Sequence, residues 1–419
     1  MGSLSCLSRP MEDDFLSNYA IVAVFCPTKP TTDNKAIVPN SMELFNPSTN
    51  TWSHVTSIPG IIEGQILKAF SMVSLGDSVY IIGGLVCHKE RVHVSDDSAE
   101  LVDVGIHVSP NVLRYNITTN QWFHCAPLGM PRYDFACTIC NNRIYVAGGK
   151  SKLASAHGIS SAEVYDPSLD TWTPLPSMHI LRYKCVGVTW QGKVYIIGGF
   201  TIPSLVERSS AEVYDTLAKK WDLVAGMWQL DVPPNQIVAV NDSLFSSGDC
   251  LNAWKGHVEA YDGKLWNEVE GSQKPSLSTL ETNYENWPHS QRSYLTMAPI
   301  GTQLFFLAGY KTGNDYDEIE RSMSLVHLFD TTRGAWRSLE PVELEEKIKE
   351  KDSEVNEKER VVLEHHRNEE LEIQREPLEL EWDAVVMMPQ ELREVEHDKD
   401  RKVFAVEDLD EWHERFLKT

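Results

Sequence analysis

The chain has 419 residues and 42% of them are hydrophobic, with 12 Trp, 14 Tyr and 13 Phe, enough for a large packed core. A formal charge of −23 repels a phosphate backbone and an anionic lipid surface, which argues against nucleic acid and membrane as partners. The charge is uneven: residues 341–419 carry 26 acidic and 13 basic side chains, a net of −13 against −10 for the rest, so the last fifth of the chain is a separate object.

Residues 1–19 read as a short N-terminal arm. Glu12, Asp13 and Asp14 stand where a secretory leader would be basic. No stretch reaches the length of a membrane span. The expected compartment is the cytoplasm, the nucleus or both. The arm also shows no helical Leu-Pro pattern of the kind an F-box would bring.

From residue 20 to 340 one pattern recurs. A hydrophobic run ends on a glycine pair at VYIIGG (to Gly84), IYVAGG (to Gly149) and VYIIGG (to Gly199). Weaker versions are AIVAVFC (Ala20 to Cys26), Phe245–Asp249 and Phe305–Gly309. A tryptophan follows each, at Trp52, Trp122, Trp172, Trp221, Trp266 and Trp336, with a spacing of 45 to 70 residues. Repeats of this length predict stacked units of short strands. The apolar run suits a strand buried on both faces. Glycine permits a sharp turn and close packing near an axis. Asn46-Pro47 and Asp166-Pro167 read as turns, after which the Trp opens an outer strand and plugs the gap between units.

Residues 341–380 are charged and free of glycine, and predict a solvated helix or disorder. Ile348, Val355 and Val362 fall seven apart, too few positions for a coiled coil. Residues 381–419 contain one apolar strand-like run, DAVVMMPQ (Asp383 to Gln390), then EDLDEWHERFLKT, which suits a short amphipathic helix.

The stretch GMPRYDFACTICNNRIYVAGG (Gly129 to Gly149), followed by SAEVYDPSLDTWTPLPSM (Ser161 to Met178), resembles a full kelch repeat, and LRYKCVGVTWQGKVYIIGG (Leu181 to Gly199) resembles the next. The resemblance covers about residues 20–340 and implies an all-β fold: a six-bladed kelch β-propeller with a charged, partly helical C-terminal extension. Trp-Asp occurs only at Trp221 and Trp382, which argues against a WD-type ring. Blade one lacks an inner strand before Ala20. Kelch rings commonly close by borrowing a strand from the other end of the chain, so residues 383–390 are the expected inner strand of blade one.

Counting 16 residues back from the first aligned glycine position finds Arg132, Arg182 and Arg292, with Lys68 one place off. In kelch adaptors arginines at this position line a pocket for acidic peptide motifs, and guanidinium forks bind carboxylates bidentately. These four residues are therefore the expected partner-binding set. The competing reading is that each arginine satisfies backbone carbonyls or a nearby acid such as Asp134. Leu85 to Asn111 reads as a long loop at the same mouth, functional or disordered.

Chemistry is sparse. Cys137 and Cys140 form one CxxC without a second pair, and in a strand they face opposite sides, so core thiols are expected rather than a metal site. Glu281, Glu285 and His289 are spaced four apart, and plant specifier proteins bind iron through loop carboxylates at that spacing. The second and third positions differ from the aspartates of that pattern, which leaves an iron-dependent, specifier-like lyase as the alternative. HExxH, GxSxG and the phosphate-binding glycine motifs are absent from the sequence. The expectation is a non-enzymatic protein-interaction module without cofactor. The expected partner is a protein with an acidic motif rather than a small molecule, and the expected role a substrate adaptor in ubiquitin-dependent turnover. Cytoskeletal or scaffold binding is a further alternative.

Overall fold

The computed structural model describes residues 19–27, 40–61, 65–95, 98–200, 209–228, 232–248, 257–272, 290–314, 317–339 and 380–381. In chain order, blade one holds β1 (Ile21–Pro27), β2 (Ser41–Asn46) and β3 (Thr51–Ser57). Then come β4 (Gln65–Lys68), β5 (Ser71–Leu75), β6 (Ser78–Ile82), β7 (Leu85–Ser95), β8 (Ser98–Val108), β9 (Val112–Asn116) and β10 (Gln121–Cys125). Of these, β5, β6, β9 and β10 form blade two, while β4, β7 and β8 form a separate three-stranded sheet.

Blade three is β11 (Ala136–Cys140), β12 (Arg143–Ala147), β13 (Ala162–Asp166) and β14 (Thr171–Leu175). Blade four is β15 (Val186–Trp190), β16 (Lys193–Ile197), β17 (Ala211–Asp215) and β18 (Lys220–Val224). Blade five, with the shortest strands, is β19 (Ile237–Val240), β20 (Ser243–Ser246), β21 (Glu259–Tyr261) and β22 (Trp266–Glu268). Blade six is β23 (Ser290–Ile300), β24 (Gln303–Asn314), β25 (Asp317–Asp330) and β26 (Ala335–Leu339). The two-residue β27 (Leu380–Glu381) pairs with β1 as the fourth strand of blade one. Six four-stranded antiparallel sheets result, as the repeat predicts.

The ring closes through packing. Six hydrophobic clusters join neighbours, where an open row of six blades would have five interfaces. Blade two meets three through Tyr80, Ile82, Ile144 and Tyr165, and three meets four through Tyr145, Val164, Ile196 and Trp221. Blades four and five share Ile197, Trp228 and Ile237, and blades five and six share Phe245, Phe306 and Phe329. Phe25 and Phe45 of blade one pack on Phe305 and Leu328 of blade six, and Val24 and Met42 pack on Met72 and Ile81 of blade two.

The tryptophans of blades three to six tie their outer strands to the blade before. The indole Nε1 of Trp172 donates to Ala126 O, Trp221 to Pro176 O, Trp266 to Met227 O and Trp336 to Ser272 O, at 2.7 to 2.9 Å. A buried indole N–H needs such a partner, which fixes the ring's orientation in the gap. The third strand of every blade ends on, or is followed directly by, an Asn or Asp whose side chain accepts backbone N–H groups of the turn: Asn46, Asn116, Asp166, Asp215, Asp262 and Asp330. These Asx turns carry the chain into the outer strand.

Two expectations meet the structure differently. The stretch from Leu85, read above as a long loop, is instead the antiparallel hairpin β7–β8, with β4 on its other side. Leu85 and Cys87 pack on Ile66 and Tyr133, so the hairpin is anchored to the ring. Its alternating valines, Val92, Val94, Val102 and Val104, on either side of the Asp96-Asp97 pair were the available signal. The expected closing strand at 383–390 lies outside the described residues, as do 1–18, 341–379 and the helix expected near the C-terminus; the pairing observed is at Leu380–Glu381.

Candidate functional site

Within a blade the strands alternate in direction, so the first-to-second and third-to-fourth turns share one face of the ring. The glycine pairs, the second-to-third connections and the inter-blade connections share the other, here called the mouth face. The glycines are there because the chain runs tight against the next segment. A Cβ on Gly149 would sit 2.6 Å from both Phe135 Cβ and Tyr133 O, and one on Gly148 would sit 2.6 Å from Arg182 O. Both glycines hold positive φ, 88° and 69°.

The inner strands enter from the mouth through a repeated kink. Ala69, Asp134 and Lys184 occupy equivalent places in blades two, three and four, with φ of 50°, 52° and 51°. They are linked around the axis: Asp134 N donates to Ala69 O and Lys184 N to Asp134 O. Next to them, Tyr133 exchanges backbone hydrogen bonds with Lys150, and Tyr183 with Phe200. Inside this rim a central channel of about 640 Å³ is lined by the inner strands, with Asp134 and Lys184 at its mouth end.

Arg132 and Arg182 lie behind the rim and are both 0% exposed. Arg132 Nη1 donates to Gly148 O and Ser161 O, and Nη2 reaches Glu163 Oε1 at 2.6 Å. Arg182 repeats the arrangement with Gly198 O, Ser210 O and Ser210 Oγ. The forks therefore brace the two connections of their own blade, and neither of these two guanidinium groups is exposed. The reading in which the arginines satisfy backbone carbonyls describes this geometry. The acid involved is Glu163, which also accepts Gly129 N and Met130 N, rather than Asp134. Burial lowers the Arg132 pKa from its usual value and the Glu163 carboxylate opposes that shift. Lys68 is also buried, at 7% exposure. The backbone of Arg292 pairs with Tyr310 in β23–β24, and its side chain lies outside the described residues. So Arg132, Arg182 and Lys68 come together on one face as counted, turned inward.

Of the tyrosines that follow the two arginines, Tyr133 is buried against Ile66 and Leu85, while Tyr183 is half-buried at the mouth. Lys150 Nζ sits 4.0 Å from the Tyr183 ring centroid, and the Tyr183 and Phe200 rings are 5.5 Å apart. Asp134 lies close by, 7% exposed, and its Oδ1 is buried without a hydrogen-bond partner among the described residues. Burial raises its pKa, against the pull of Lys184 and Lys150. Burial likewise lowers the Lys150 pKa, with Asp134 opposing. Tyr133 is pushed up to about 12 by burial, so its hydroxyl stays a neutral donor and acceptor.

Among the described residues no three His, Cys, Asp or Glu side chains are placed to hold a metal ion. Glu281, Glu285 and His289 lie outside the described residues. Cys137 and Cys140 occupy one strand, β11, and are free thiols whose pKa values burial raises. They behave as inert core groups.

Comparison with known proteins agrees with this architecture. Residues 131–179 and 181–227 match the Kelch motif, and these are blades three and four with their mouth connections. An F-box/kelch-repeat protein of Arabidopsis thaliana is 28% identical over 50% of this chain and 52% of its own length. A second is 34% identical over 29% of this chain and 32% of its own length. Kelch-like protein 26 of Danio rerio is 26% identical over 52% of this chain and 33% of its own. The match spans about half the length of the first of these relatives. Residues 131–227 are therefore similar to two consecutive kelch repeats.

Proposed function

We propose that this ring is a non-enzymatic recognition module that holds a partner protein on its mouth face. The observation that carries the reading is the Lys150–Tyr183–Phe200 platform at the channel rim. A cation on an aromatic face, flanked by a second ring, offers both charge and apolar area to a protein segment. Lys150 and Lys184 suit a segment that brings a carboxylate, in keeping with the acidic motif that the kelch resemblance implies. The β7–β8 hairpin and the extended β24–β25 hairpin stand on the same face and add variable walls to a rigid ring. Arg132 and Arg182 serve this surface from beneath by holding its connections in place.

The finer reading is a substrate adaptor in ubiquitin-dependent turnover, in the cytoplasm or nucleus. What supports it is the likeness to plant proteins named for an F-box joined to kelch repeats. The test is proximity labelling in the native cell with wild type, Lys150→Glu and Tyr183→Ala. Partners that depend on the mouth should vanish with both variants, and the half-life of those partners should lengthen when the protein is depleted. An unchanged partner set in both variants overturns the mouth as the site. Unchanged half-lives with a lost partner set overturn the turnover role alone.

A further inference from the structure

Among the described residues the face opposite the mouth carries tight turns, yet it is not featureless. Between blades two and three the β5–β6, β11–β12 and β13–β14 turns leave a cleft of about 510 Å³, lined by Asp77, Tyr80, Arg114, Asn142, Arg143 and Ser168 among others. We propose that this cleft is a second docking site, taking a segment of a partner protein that presents a carboxylate next to an apolar side chain. The proposal rests on the reading of the ring as a protein-interaction module and adds a surface that reading does not use.

The charges decide the ligand. The acids around the cleft are already satisfied. Asp77 accepts hydrogen bonds from Asn116 Nδ2 and Ser78 Oγ at 2.8 and 3.0 Å. Asp166 accepts from Arg143 Nη2 at 2.8 Å and from Ser168 N at 3.0 Å. Asp170, nearby, accepts from Ala126 N and the Tyr165 hydroxyl. Arg114 differs. Its charge acts on the Asp77 and Asp170 carboxylates, but neither comes within ion-pair distance among the described residues, and its Nε is buried without a hydrogen-bond partner. Its side chain hydrogen-bonds the Tyr80 hydroxyl. Its guanidinium carbon lies 4.6 Å from the Phe123 ring centroid, a stacking that holds the fork in a set orientation. An oriented guanidinium with unused donors is a ready partner for a carboxylate.

The cleft offers two further features. Arg143 is 51% exposed in its pair with Asp166, and an exposed pair of this kind is weak enough to share with an incoming anion. Leu169, one residue beyond the cleft's Ser168, is 69% exposed on the flanking turn tip. An apolar side chain beside the ligand carboxylate would cover it. A free inorganic anion would gain nothing from that contact, which separates a peptide segment from phosphate.

A random peptide library displayed on phage and selected on the full chain tests the proposal. The selected peptides should place Asp or Glu beside Leu, Ile or Phe, and 10 mM phosphate should not displace them. Their affinity should fall about tenfold on Arg114→Met, the loss expected for one charge-assisted hydrogen-bonded contact. That variant keeps an apolar side chain over Phe123. Leu169→Glu, at an exposed turn tip, should weaken the same peptides, while Lys150→Glu on the mouth face should leave them unchanged. Selected peptides that lack a carboxylate, that phosphate displaces, or that bind Arg114→Met and Leu169→Glu as tightly as wild type overturn the second site. Peptides that respond to Lys150→Glu alone overturn it too and leave the mouth reading standing.

Discussion

Arg132 and Glu163 form an ion pair with Nη2 2.6 Å from Oε1 and side-chain exposures of 0% and 8%, closing one blade's connections over its own inner strand. The next blade repeats the pair in looser form, Arg182 and Glu212 at 4.0 Å, where His179 and Ile180 N take up the carboxylate instead. Removing one partner of a buried pair leaves an uncompensated charge. Glu163→Ala should therefore lower unfolding stability by about 3 kcal/mol, read from chemical denaturation. Glu43→Gln, whose partner His54 is 58% exposed, should change it little. Equal midpoints for the two variants would show that the buried pair does not hold the mouth together.

Two glycines separate conformation from space. Gly192 has φ +71° with nothing within 4 Å of a built Cβ, so Gly192→Ala should cost only the left-handed backbone term of about 1 kcal/mol. Gly149 has φ +88° and a Cβ there would meet Phe135 Cβ and Tyr133 O at 2.6 Å. Gly149→Ala should cost several times as much, since backbone of the next segment must move. Comparable melting temperatures for the two would contradict the close approach.

Asp134 sets a pH dependence with an unusual sign for a carboxylate. Burial raises its folded-state pKa above the ordinary 3.8, so the folded form binds its proton more tightly than the unfolded chain does. Its contribution is neutral below 3.8 and becomes destabilising as pH rises from there through the folded value. Asp134→Asn removes the charge and tolerates the positive φ of 52°. Stability should rise by about 1 kcal/mol or more at pH 7. The gain should shrink as pH falls towards 4. A gain that is constant with pH, or a loss at pH 7, would contradict the assignment.

Ring closure gives a fourth expected outcome. Cys26 pairs with Glu381 and Pro27 with Leu380. Deleting residues 380–419 should lower the melting temperature of the whole ring and promote self-association through the bare edge of β1. An unaltered melting temperature, read by circular dichroism, would overturn closure by the C-terminal segment.

The blades were legible because their signals are local. A buried strand, a glycine turn, an Asx turn and a tryptophan recur at short range, and each follows from the residues at that point. The 16-residue count back from the glycines likewise brought Arg132 and Arg182 to one face. It could not say which way they point. That depends on Ser161 and Glu163, about 30 residues further on, folding back over the guanidinium. The β7–β8 hairpin was missed for a different reason: its length suggested a loop, although its valines alternate.

By itself, then, the sequence determined the repeat, the strand order inside each blade and the number of blades, since these rest on periodicity and turn chemistry within some 50 residues. Only the tertiary structure decided that blade one packs against blade six, that the motif arginines brace the mouth from within, and that Arg114 lines a cleft on the far side with no carboxylate at ion-pair distance among the described residues. Each of these depends on which side chains meet across blades, and burial, unlike periodicity, is a property of the closed ring.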